Sequence, residues 1–147
     1  MCAFNLDLRL QAAAESLGAR YSRYADDLVF SGGRQFERAA RRFTALVGAI
    51  ALEEGFSINF HKTRVMSRGA CQKVNGIVVN EKLNVKRGER DQLKAILHNC
   101  MRHGPTSQNR SGLVDFRAHL MGRLAYVKMI TPLHGQRLER LFKQIAW

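Results

Sequence analysis

The sequence predicts an α+β chain: a small antiparallel β region with two helices, followed by a basic three-helix unit. Three observations carry this. Apolar residues recur at helical spacing in five separate stretches. Runs of β-branched and aromatic residues, broken by turn formers, lie between the first two stretches and again after the second. The charge is divided unevenly. Residues 1–60 hold seven basic and seven acidic side chains and residues 61–147 hold seventeen and five, so the whole net charge of +12 lies in the later part.

In the first helix Leu6, Leu10, Ala13 and Leu17 repeat at spacings of four, three and four, with Asn5 as its predicted cap and Gly18 as its stop. Arg20–Ala25 and Leu28–Phe30 read as two strands of a hairpin, because paired Asp26-Asp27 favours a turn between them. Gly32-Gly33 ends the hairpin. A long helix is expected from about Gln35 to Glu54, with Phe36, Ala40, Phe43, Val47 and Ile50 on its inner face and Arg34, Arg38, Arg41 and Arg42 mostly outward. Gly55 ends it. Phe56–Phe60 and Arg64–Ser67 are short strand candidates around His61-Lys62-Thr63. Val74–Val79 is strand-like, and Asn80-Glu81-Lys82 turns into Leu83–Val85. Three amphipathic stripes follow: Leu93, Ile96, Leu97 and Cys100; Phe116, Leu120, Leu124 and Val127; and Leu138, Leu141, Phe142 and Ile145. The first two are separated by a loop over Gly104–Gly112.

Composition narrows the function classes. With 147 residues, 46% hydrophobic and 24% charged, the chain has an ordinary globular balance, which excludes wholesale disorder. Its longest apolar stretch, Phe43–Leu52, is far short of the roughly 20 residues of a membrane span, so no membrane partner is expected. Cys2, Cys71 and Cys100 share no C-x-x-C spacing, and no secretory signal is readable at the N-terminus, which together point to a cytoplasmic protein. His98, Cys100 and His103 make a poor metal set, since His98 and Cys100 point about 200° apart on a helix. A basic excess spread over a foldable segment is the footprint of a binder of phosphate backbone.

The sharpest chemical feature is Tyr24-Ala25-Asp26-Asp27 between two hydrophobic strands. Adjacent carboxylates repel unless solvated or neutralised by a cation, and Mg²⁺ accepts one or two carboxylates together with water and substrate phosphates. An isolated Asp-Asp turn is more often simply solvated; the surrounding sequence decides here. Tyr24-Ala25-Asp26-Asp27-Leu28-Val29-Phe30-Ser31-Gly32 resembles the YADD palm motif of bacterial reverse transcriptases of the retron and group II intron type. Gly55-Phe56-Ser57-Ile58-Asn59 with Lys62-Thr63, then Gln72–Asn80, then Phe116–Val127 resemble later motifs of that family, in the same order.

The resemblance implies the C-terminal portion of an RNA-directed DNA polymerase: half a palm over residues 1–85 and a helical thumb over 86–147. It makes Asp26 and Asp27 ligands of a two-Mg²⁺ site completed by residues absent from this chain. It sets Tyr24 and Ala25 near the primer end and incoming nucleotide, and Lys62 where a proton reaches the leaving pyrophosphate. Val74, Asn75 and Gly76 fall to the primer grip, and Lys86, Arg87, Arg117, Arg123 and Lys128 to the nucleic-acid backbone. The implied partners are an RNA template, an RNA–DNA duplex and deoxynucleoside triphosphates; whether the fingers and the first catalytic Asp come on a separate N-terminal chain or are lost stays open. Asn75 stands where retron enzymes carry Thr. The Q-G loop and first Asp of the family pattern are not in this sequence, so a catalytically silent RNA- or DNA-binding module is the alternative. Phage defence and intron mobility both stay open as biological roles.

Overall fold

The computed structural model describes residues 3–147; Cys2 lies outside them. Among the described residues there are five α-helices and two two-stranded antiparallel sheets, an α+β chain. They divide into two compact units, residues 3–70 and residues 71–147.

In the first unit, helix α1 (Phe4–Glu15) leads into a hairpin of β1 (Ala19–Tyr24) and β2 (Asp27–Gly32), and helix α2 (Arg34–Glu53) follows. Leu6, Leu10 and Ala14 are the buried residues of α1. Its cap is Ala3, not Asn5, because the Asp7 N–H already bonds to the Ala3 carbonyl at 2.9 Å and draws Asn5 into the helix. Gly18, at φ 65, supplies the left-handed residue that turns the chain into β1. The hairpin runs in register from Ala19 opposite Gly32 to Tyr24 opposite Asp27. It is seated on α2 by aromatic contacts: Phe30 lies 4.9 Å from Phe43, edge to face, and 5.2 Å from Tyr21. The α2 core face is Ala40, Phe43, Val47, Ile50 and Ala51, close to the predicted stripe. Phe56 N–H to Ala51 O and Gly55 N–H to Leu52 O close that helix in a Schellman motif.

Two strand expectations fail just beyond. Phe56–Phe60 and Arg64–Ser67 form no strands. Asn59 takes the backbone into local turns instead: its side chain accepts from His61 N–H at 3.1 Å and its carbonyl from Lys62 N–H at 3.0 Å.

The second unit opens with β3 (Lys73–Val74) and β4 (Ile77–Val78), so Val74–Val79 is not one strand but a hairpin. Asn75 at φ 49 and Gly76 at φ 82 form the two-residue loop, with the pair of positive φ values that a type I′ turn requires and Asn-Gly provides. The expected strand Leu83–Val85 contributes only a bridge, Asn84 to Val78. Helices α3 (Arg87–His103), α4 (Phe116–Ile130) and α5 (Pro132–Lys143) then pack around Leu93, Leu97, Cys100, Leu120, Leu124, Val127, Leu138 and Phe142, and Val85 and Ile145 complete the core. A 3₁₀ turn, Pro105–Ser107, lies in the loop after α3. Asp115 caps α4, accepting from Ala118 N–H at 2.8 Å.

Candidate functional site

The loop of the first hairpin is two residues long, Ala25 and Asp26, with Asp27 already paired to Tyr24. Ala25 has φ 53 while Asp26 is not in the positive-φ region, the φ pattern of a type II′ turn. That turn favours glycine at its first position, so alanine there holds the backbone in a costly conformation. Tyr24 is 71% exposed, and Ala25, Asp26 and Asp27 are exposed with it. Neither carboxylate makes a side-chain hydrogen bond or ion pair among the described residues. Two hard oxygen donors on consecutive exposed residues fit Mg²⁺, which needs only one or two carboxylates from protein. Among the described residues no group of three His, Cys, Asp or Glu converges on a common point.

What holds this turn is a network that sequence reading does not reveal. Asp7 on α1 accepts from Tyr21 Oη, from Arg23 Nε and from Arg23 Nη2, each at 2.7 Å. The remaining guanidinium nitrogen, Nη1, donates at 3.0 Å to the carbonyl of Ala25. Arg23 therefore links α1 directly to the strained residue of the turn, with the bidentate geometry that suits arginine to a carboxylate. The Arg23 and Tyr21 hydrogen bonds hold the Asp7 carboxyl down at about 2, and burial together with the Asp7 carboxylate pushes the Tyr21 phenol up. Asp7 is committed to Arg23 and Tyr21, and no local sequence signal links it to residues 14 and 16 positions away.

Lys62 lies in the exposed Asn59–Thr63 turn of the same unit, its side chain in no ion pair among the described residues. In the second unit, Val74 ends β3, and Asn75 and Gly76 form the exposed loop after it. The basic residues singled out there differ in availability. Lys86 is the exposed N-cap of α3, and Arg87 is nearly fully exposed, with Asp91 at 3.5 Å. Arg117 and Lys128 are both exposed on α4, but each has an intrachain partner: Arg117 lies 5.7 Å from the Trp147 ring, and Lys128 donates to Glu139 at 2.8 Å. Arg123 is half-buried and donates to Gln92 at 3.3 Å. Exposed cations free of ion pairs, such as Lys94, Arg102, Arg137 and Arg140, carry the remaining positive charge of α3 and α5. No helix among the described residues is long and apolar enough to cross a membrane.

The sequence matches no family model, and no solved structure matches it. Similar proteins are known, however. The chain is 46% identical over 136 residues to the retron Mx65 reverse transcriptase of Myxococcus xanthus, covering 92% of this chain and 30% of that protein. It is 35% identical over 145 residues to the retron Mx162 reverse transcriptase of the same organism, covering 89% and 29%. It is 34% identical over 139 residues to the retron Ec86 reverse transcriptase of Escherichia coli, covering 89% and 42%. The chain thus spans well under half the length of each of these relatives.

Proposed function

Since this chain belongs with the bacterial retron-type reverse transcriptases, as the counterpart of part of their length, we propose that it is the later portion of an RNA-directed DNA polymerase. Residues 1–85 would be the later half of the palm and 86–147 the thumb. The observation that carries this reading is the hairpin turn with Asp26 and Asp27 adjacent, exposed and unpaired, in a chain homologous to reverse transcriptases. The two carboxylates hold Mg²⁺, while Arg23 fixes the turn that presents them. Bound there, a pair of Mg²⁺ ions supplies activation of the primer hydroxyl and charge stabilisation at the leaving pyrophosphate. Tyr24 and Ala25 border the primer end and the incoming deoxynucleoside triphosphate. The Lys62 ammonium gives its proton to the departing pyrophosphate. The Val74–Asn75–Gly76 hairpin steadies the primer strand, and Lys86 and Arg87 contact phosphates of the RNA–DNA duplex, which Arg117, Arg123 and Lys128 reach only on leaving Trp147, Gln92 and Glu139.

Replacing the matched stretch of the Mx65 relative with this chain tests the reading. The chimera should extend a primer on an RNA template with Mg²⁺, and Asp26→Asn should abolish extension while leaving duplex binding intact. The isolated chain should not extend, because it supplies carboxylates from one side of the metal pair only. The alternative is a silent nucleic-acid-binding module of the same descent. Duplex binding with no extension by the chimera would select it.

A further inference from the structure

Helix α2 carries its charges against its own dipole at both ends. Glu53 and Glu54 stand in or next to its last turn, where the helix presents partial negative charge, and Arg34 and Arg38 stand in its first turns, where it presents partial positive charge. The acidic end is explained within the chain: Arg9 of α1 pairs with Glu53 and, at 2.8 Å, with Glu54. The basic end has no such explanation. Arg34, Arg38, Arg41 and Arg42 are all exposed, and none joins an ion pair or side-chain hydrogen bond among the described residues. Glu37, the acidic residue in that stretch, pairs with none of them.

Their placement is ordered. At about 100° per residue the four arginines fall within an arc of about 100°, directly opposite the buried face of Ala40, Phe43, Val47 and Ile50. From Arg34 to Arg42 the helix rises about 12 Å, close to two phosphate steps of an extended strand. Like charges at i,i+4 repel, so the row lowers helix stability unless an anion covers it. Guanidinium groups in a row, with Glu37 beside the row but paired with none of them, match a polyphosphate through paired N–H donors.

We propose that this arginine ridge is a second RNA-docking surface, taking the phosphate backbone of RNA in addition to the duplex held by the basic helices. The choice of RNA rests on the reverse-transcriptase reading; the ridge itself rests on α2. It adds a role for the first unit, whose residues 1–60 carry no net charge to hint at one.

The test measures affinity of the whole chain for a short RNA stem-loop across a salt series. The variant carrying Arg34→Gln, Arg38→Gln, Arg41→Gln and Arg42→Gln should lower the slope of log affinity against log salt by about 2–4, at about 0.7–0.9 per phosphate released. The corresponding Arg→Lys variant should keep the slope. On the unmodified chain, phenylglyoxal labelling of these arginines should fall when RNA is added, which checks the proposal even if the Gln variant fails to fold. An unchanged slope with unprotected arginines overturns the ridge. So does ridge-dependent binding of phosphatidylserine vesicles with no RNA protection. Primer extension by the chimera and phenylglyoxal protection of the ridge are separate readouts, so a failure of the catalytic reading is separable from a failure of the ridge.

Discussion

Asp7 is about two-thirds buried at its side chain, and its carboxylate oxygens are taken by Arg23 and Tyr21. Those bonds lower its pKa from 3.8 to about 2, so its contribution to folding has a definite sign with pH. The contribution is fully present above the unfolded value and is lost as pH falls from about 4 through about 2. Denaturant midpoints measured between pH 6 and pH 2 should therefore drop more for the wild-type chain than for Asp7→Asn, which lacks the titrating group; equal drops would show that the pair adds no linkage. Ala25 makes a different prediction. At φ 53 its methyl group is strained, and Ala25→Gly removes the strain while loosening the unfolded chain, leaving a net gain of about 0.5–1 kcal/mol. Chemical denaturation reads that gain. In the chimera the same change should slow primer extension, because the turn loses a constraint; faster extension would mean the strain has no part in presenting Asp26.

Between elements, α5 approaches α4 closely at Gly135, which is buried on α5. A Cβ there would lie 2.3 Å from the Lys128 Cα, which is backbone and has nowhere to go. Gly135→Ala must push α4 and α5 apart, and overpacking of this kind costs about 1–3 kcal/mol. A thermal midpoint unchanged by Gly135→Ala would show that the helices separate freely. No pattern in the sequence marks this glycine, since contact between two helices is a tertiary fact. The amphipathic stripes, by contrast, were legible: Leu93, Leu97, Leu120, Leu124, Val127, Leu138 and Phe142 are buried as their spacing implies. The short strands were less so. Phe56–Phe60 has strand composition, yet Asn59 satisfies the backbone locally. The Asn75-Gly76 loop, a strong hairpin signal, is masked by the β-branched run on either side of it. The first hairpin was readable because paired acids between two strand-like runs favour a turn, although the loop is Ala25-Asp26 and Asp27 already pairs with Tyr24; Arg23, which holds that turn, is recognisable only once α1 is in place.

On the proposed function, the net charge of +12 across the whole chain governs how it would meet nucleic acid, but a charge counts only when it is free to replace a counterion. Lys128 and Arg117 recur on one side of α4, as helical spacing implies, yet Lys128 is bonded to Glu139, whose carboxyl it holds below the usual range, and Arg117 leans on Trp147. A phosphate that takes Lys128 must first displace Glu139, which returns to water as an uncompensated anion beside the nucleic acid. Lys128→Gln should consequently change the salt slope of duplex binding by much less than one. Glu139→Gln has the opposite consequence. It frees Lys128, removes a nearby negative charge, and should steepen the slope by about 0.7–0.9 while raising affinity at low salt. The Lys128 side chain is half-exposed and that of Glu139 half-buried, so the pair is only partly screened by water and its loss should lower the thermal midpoint slightly. Sequence preference among duplexes should be unaffected, since only phosphates are involved. Fluorescence anisotropy on RNA–DNA duplexes of two unrelated sequences, across one salt series, measures all of this. A steep loss of slope in Lys128→Gln, with no change in Glu139→Gln, would mean that Lys128 already faces phosphate and that Glu139 does not restrain it.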